Sequence, residues 1–183
     1  LYSPDDFLML DAATQRNLEL IKNLQDSSSS NTLFSILDRT ATSMGSRMIK
    51  KWIVRPLIKK ILIEQRLESV ELLVKKIALQ EELYGSLKNI GDLERIVGRI
   101  NLNRAQVHDY IGLMKALKTV PALQELCAPY DQTIWIIKKI SSLNSLFELS
   151  KFLESALNDN PLDDSIIKFG YNTELDRMRS LLN

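Results

Sequence analysis

Two side chains are of types that do chemistry near neutral pH: the lone histidine, His108, and the lone cysteine, Cys127. His108 stands beside Asp109. Consecutive residues of a helix point to different sides, however, and no serine or acid stands with it in a triad motif. It reads as a surface histidine. Cys127, between Leu126 and Ala128, is a nucleophile by type and a small buried apolar residue by context. A phosphate loop of the form GxxxxGK[ST] needs a glycine-lysine pair, and the sequence has none. The GxGxxG, HExxH, CxxC and EF-hand patterns are missing as well, so neither a catalytic centre nor a cofactor or metal site is legible. What remains is charge. Arg47, Lys50, Lys51, Arg55, Lys59 and Lys60 occur with no acid between Asp38 and Glu64. Arg47, Lys51 and Arg55 are four apart and form one stripe on a helix, a shape that suits the phosphates of duplex DNA. The same spacing also describes a solvated face opposite Met48 and Trp52.

The elements that must carry these side chains follow from composition. With 183 residues, 45% of them apolar and 26% charged, the chain is long and apolar enough for one globular domain or two small ones, and global disorder is excluded. Because 24 basic residues face 23 acidic ones, no general excess of positive charge exists to grip a polyanion. One cysteine permits no internal disulfide. No apolar run approaches the ~18 residues of a membrane span, and Leu1 to Asp6 lacks a signal-peptide layout, so a soluble, cytoplasmic protein with no membrane partner is expected. Six glycines and five prolines separate long stretches rich in Leu, Ile, Lys and Glu. An all-α fold is expected, an irregular multi-helix bundle with at most one short strand near the N-terminus, at Phe7 to Leu10.

Spacing places the helices. Leu18, Ile21 and Leu24 predict one from Thr14 to Leu24, followed by a loop at Asp26 to Ser30. Thr32 to Asp38 reads as a short helix and Thr42 to Arg55 as a longer one that Pro56 ends. Ile63, Leu67, Val70, Val74 and Ile77 step by four and three, a seam that predicts packing against a neighbour and a break near Ala78. Asp92 caps a helix with Leu93, Ile96, Val97 and Ile100. Val107, Tyr110, Met114 and Leu117 mark another after Asn103, with Pro121 opening a separate short helix to Leu126. Thr133 to Ile140 is apolar enough for a buried strand, and context favours a helix. Ser145 and Glu148 form a capping-box pair before a helix that Pro161 stops. Ile166 and Ile167 read as a short extended piece before Gly170. Asn172 opens a last helix that runs to the end of the chain without a cap, as an excised fragment would.

Two ordered segments carry a resemblance. Phe7-Leu-Met-Leu-Asp-Ala-Ala-Thr-Gln-Arg-Asn-Leu-Glu-Leu20 and Asn31 through Met48, continued by Lys51-Trp-Ile-Val-Arg-Pro-Leu57, Arg66-Leu-Glu-Ser-Val70, Asp92-Leu-Glu-Arg95 and Gly170-Tyr-Asn-Thr-Glu-Leu-Asp176, resemble the core and lever region, domain III, of the MutS family of DNA mismatch repair proteins. The blocks lie in family order over nearly all of residues 1–183. Lys59 departs from the pattern where a capping aspartate is common, and Asp164 and Ser165 stand where a glycine pair is.

The resemblance implies a relay element. Residues 1–183 would form a core/lever domain, with 172–183 the start of an outgoing, projecting lever helix. The mismatch-reading domain, the clamp and an ATPase using ATP and magnesium would lie elsewhere in a longer parent protein. Implied partners are mismatched double-stranded DNA, a second parent subunit in a homodimer, and a MutL-like protein. A charged residue at Leu67 or Val70 would then uncouple ATP turnover from mismatch binding. Two alternatives stand beside the relay: direct duplex binding through Arg47, Lys50, Lys51 and Arg55, and an unrelated helical scaffold.

Overall fold

Thr32 starts a helix because its hydroxyl accepts the backbone N–H of Ser35 while the Ser35 hydroxyl accepts the N–H of Thr32, a reciprocal cap. Rules of this kind set most element boundaries. In the computed structural model, residues 6–158 and 166–182 are described. Along the chain run α1 (Ala12–Asn17), α2 (Leu33–Leu37), α3 (Ser43–Val54), α4 (Lys60–Lys75), α5 (Ile77–Lys88), α6 (Leu93–Asn101), α7 (Val107–Cys127), α8 (Trp135–Ser141), α9 (Phe147–Ala156) and α10 (Thr173–Leu182). The fold is all-helical. The strand expected at Phe7 is an isolated antiparallel bridge to Leu57, and the extended piece at Ile167 bridges Leu157 in the same way.

The helices fall into two compact units. The first comprises Leu1–Lys88 and Leu126–Ser142, the second Asn89–Glu125 and Leu143–Asn183.

In the first unit, Leu20, Phe34, Leu79, Leu83 and Ile137 are buried. The helix expected from Thr14 to Leu24 stops at Asn17, and Glu19 adopts a positive φ of 47°. The carbonyls of Glu19 and Leu20 instead accept the N–H groups of Leu33 and Phe34. Those two donors open α2 and have no partner inside it, so a long-range demand overrides local helical spacing. The loop at 23–30 closes on Asn23, whose amide oxygen accepts the N–H of Gln25 and of Asp26. Helix α3 runs as its spacing requires, capped by Thr42 through the N–H of Gly45.

Helix α4 departs from expectation. Its seam points outward, with Leu67 60% and Val74 66% exposed. The face that packs carries buried Ser69 with half-buried Leu62, Leu72 and Leu73. The Ser69 hydroxyl accepts the N–H of Ile136 at 3.2 Å, supplying the cap that Ile134 at the start of α8 cannot. Helix α4 carries two apolar stripes, and periodicity singles out the more regular one. It ends at Lys76, next to the expected break.

In the second unit the core is Ile111, Met114 and Leu117 of α7 against Leu153 of α9, with Val107, Leu113 and Leu157 packed around them. Tyr110, expected in this seam, is 37% exposed, and Ile111 takes its place. Pro121 does not open a new helix; α7 continues through it. A proline within a helix costs about 3 kcal/mol. Buried Leu117 and Leu123 on either side offset that cost. The capping box expected at Ser145 is not formed. Leu146 precedes α9 in the left-handed region at φ 46°, its N–H held by the Asn144 side chain. Helix α9 ends at Ala156; Pro161, Asp164 and Ser165 lie outside the described residues. Asn172 caps α10 by accepting the N–H groups of Glu174 and Leu175.

Candidate nucleic-acid interface

The basic residues sit on and just after α3. A Cβ built on Gly45 would lie 3.1 Å from the Thr40 side chain, so the start of α3 lies close against the preceding turn. Asp38 accepts hydrogen bonds from the hydroxyls of Ser46, at 2.6 Å, and Thr40. These, Ser46 foremost, hold its carboxyl below the usual carboxylate range, so it stays charged near Lys50. Lys50 is exposed and its ammonium lies 4.5 Å from the Phe34 ring centre. Lys51 and Arg55 are exposed, whereas Arg47 is half-buried. The cluster read from sequence is therefore divided. Lys59 reaches Asp6 at 2.6 Å, and Lys60 lies 3.6 Å from Glu64. At Lys59, where no side chain caps α4, the lysine serves the first unit's fold instead. Lys51 and Arg55 also lie at the C-terminal end of α3, where positive charge complements the helix dipole.

The strongest electrostatic arrangement lies in the second unit and was missed in the sequence. Arg99 of α6 grips the fully buried Asp109 carboxylate with two hydrogen bonds, one of them Nε to Oδ2 at 2.9 Å. Asp109 also accepts the N–H of Gln106 at 2.9 Å, reaching back over the start of α7. The Arg99 guanidinium, then the Gln106 N–H, bring the Asp109 carboxyl down to about 2. The ten-residue separation hid this pair, although an acid three residues into a helix is a signal for such a cap. His108 is a surface side chain, but its Nε2 does come within 3.4 Å of Asp109 Oδ1, against the expectation from helical direction. Asp109 serves a structural clasp with Arg99. Cys127 is buried, and burial pushes its thiol pKa up, which makes it a poor nucleophile. Among the described residues no three His, Cys, Asp or Glu side chains are grouped to hold a metal ion, and no helix is long and apolar enough to cross a membrane.

These features give a helical structural element whose order comes from caps and clasps. Comparison with known proteins agrees: the family model for MutS domain III matches residues 13–169. The chain belongs to the MutS domain III family. It is 41% identical over 182 residues to the DNA mismatch repair protein MutS of Pelotomaculum thermopropionicum, covering 97% of this chain and 21% of that protein. The match to MutS of Desulforamulus reducens is 40% over 184 residues, covering 98% and 21%. To MutS of Methanosarcina barkeri it is 36% over 187 residues, covering 98% and 21%. This MutS domain III thus spans about a fifth of the length of the curated relatives it matches. Within the matched range lie α3 with its basic residues and the Arg99–Asp109 clasp.

Proposed function

We propose that this MutS domain III acts as the mechanical relay of a DNA mismatch repair protein, coupling the state of an ATPase elsewhere in that protein to its hold on mismatched duplex DNA. The family match over residues 13–169 carries the reading. What supports it physically is stiffness: α7 alone runs from Val107 to Cys127, and its start is clamped to α6 by Arg99 and Asp109. Coupling over distance needs packed elements with discrete arrangements. On this reading ATP and magnesium, the second subunit of a homodimer and a MutL-like partner all engage other parts of the protein. The core/lever domain extends over residues 1–183, with α10 opening the outgoing lever.

The test uses the full-length protein. Leu67→Glu changes an exposed side chain and so leaves the fold intact. It is expected to leave ATP hydrolysis and mismatch binding each measurable while abolishing the dependence of one on the other. A folded variant with normal coupling would remove the relay.

Exposed Lys51 and Arg55 favour a second reading, direct duplex binding through α3 together with Lys50 and Arg47. Gel-shift titration of the 183-residue chain decides it. Micromolar binding that weakens with salt supports it, and no binding at low salt removes it.

A further inference from the structure

Helix α10 is held to the second unit by polar contacts more than by packing. Among its described side chains none is buried, and Leu175 is the one apolar side chain that is shielded; Met178 and Leu181 are 55% and 78% exposed. An element with so few buried apolar contacts opens and swings easily unless something else ties it down. Two charged side chains supply the tie.

Asp176, in the first turn of α10, accepts the N–H of Gly170 at 2.7 Å. Arg179, in the last turn, donates to the carbonyl of Ile167 at 3.0 Å and lies 3.5 Å from the Asp176 carboxylate. An acid that reaches back over a helix start is an ordinary cap. Arg179 adds what a cap does not, a link from the far turn of α10 to a carbonyl 12 residues earlier. Arg179 and Asp176 are 21% and 15% exposed, so salt and solvent weaken their attraction less than that of a surface pair.

The backbone that they grip is itself fixed. Ile167 bridges Leu157 at the end of α9, with the Lys168 N–H donated to the Ala156 carbonyl at 2.9 Å and the Asn158 N–H to the Ile166 carbonyl at 3.0 Å. The Lys168 ammonium donates to the Glu154 carbonyl at 2.6 Å, and Tyr171 sets its ring edge-on to Phe152. Gly170 turns the chain between the bridge and α10 at φ 86°, a conformation that glycine takes without strain. Helix α9 is anchored in turn by Leu153, in the core with Met114 of α7. A continuous path of contacts thus joins α10, through Asp176 and Arg179, to α9 and the core on α7.

We propose that Asp176 and Arg179 are positioning residues, which together fix the direction in which α10 leaves the second unit, so that a displacement of α10 carries α9 and the core on α7 with it. The proposal rests on the reading of this chain as a relay with α10 at the root of its lever. A lever passes on displacement only if its root is stiff, and here the stiffness comes from two side chains rather than from a buried seam.

The experiment uses the full-length protein with spin labels at Glu148→Cys on α9 and Ser180→Cys on α10, both exposed positions, the labelled subunit diluted with unlabelled protein. One narrow label-to-label distance is expected, and Arg179→Ala should give a broad one. In the same variant the change in mismatch affinity caused by ATP should fall from the ~5–150-fold usual between coupled sites to nearly none. ATP hydrolysis alone and mismatch binding alone should stay close to their unsubstituted values. Arg179→Lys keeps a donor within reach of Ile167 and should restore part of both readouts, whereas Arg177→Ala, which removes an exposed charge from the same helix, should change neither. A distance that stays narrow in Arg179→Ala, coupling that survives a broadened distance, an equal effect of Arg177→Ala, or loss of both activities without rescue by lysine overturns the proposal. Coupling that persists in Arg179→Ala leaves the relay standing and removes only these two residues from it; an unsubstituted protein without coupling removes the relay and the proposal together.

Discussion

Helices α4 and α7 carry nearly the same sequence signal and meet opposite fates. Each shows apolar residues stepping by three and four along one side. In α7 the stripe's Met114 and Leu117 are in the core of the second unit, Met114 wholly buried; in α4 it lies outside, with Val74 66% exposed. Periodicity therefore reports that a helix has an apolar side and leaves open what covers it. The packed side of α4 is instead organised by a polar residue, Ser69, which caps α8 from a distance of 67 residues along the chain.

The largest test of this contrast is Met114→Ala, which removes a buried side chain between α7 and α9 and should cost about 2–5 kcal/mol in a denaturant titration. A loss as small as that of a surface residue would mean the second unit has no core where it is placed. Next comes Arg99→Ala, which strips Asp109 of its strongest partner. A lowered melting temperature at neutral pH is expected, with a weaker response to acid. The native Asp109 carboxyl, held at about 2, lies below its unfolded value near ~3.9. Its contribution is complete above about pH 4 and drains away as the pH falls through about 2. Asp109→Asn should flatten that acid limb in a pH series of melting curves, and an unchanged limb would discard the clasp.

Ser69→Ala should cost about 1 kcal/mol, seen as a loss of helix at α8 by amide exchange. Leu67→Ala should be smallest, within about 0.5 kcal/mol of the native chain. If it matched Met114→Ala, the seam would be covered within the chain and the comparison would break.

Local signals located much of the fold. Asp92 caps a helix where its type and spacing placed it, Thr42 and Asn172 stand at helix starts as expected, and Pro56 follows α3 as expected. The failures share a cause. Helix α1 stops early because carbonyls at Glu19 and Leu20 are needed by α2, and α7 passes through Pro121 because buried residues on both sides hold it. The candidate site was half legible. Six basic residues were visible in the sequence, but Asp6 lies too far from Lys59, and Arg99 too far from Asp109, for spacing to pair them.

By itself, the sequence determined helical content, most caps and the family, since these depend on residue types within a few positions of one another and on blocks kept in order. Only the tertiary structure decided which stripe of each helix is buried, which charges are spent internally, and that α4 keeps an exposed apolar face. Such choices follow from competition among distant groups for the same core and the same hydrogen bonds, and no window of neighbouring residues contains both competitors.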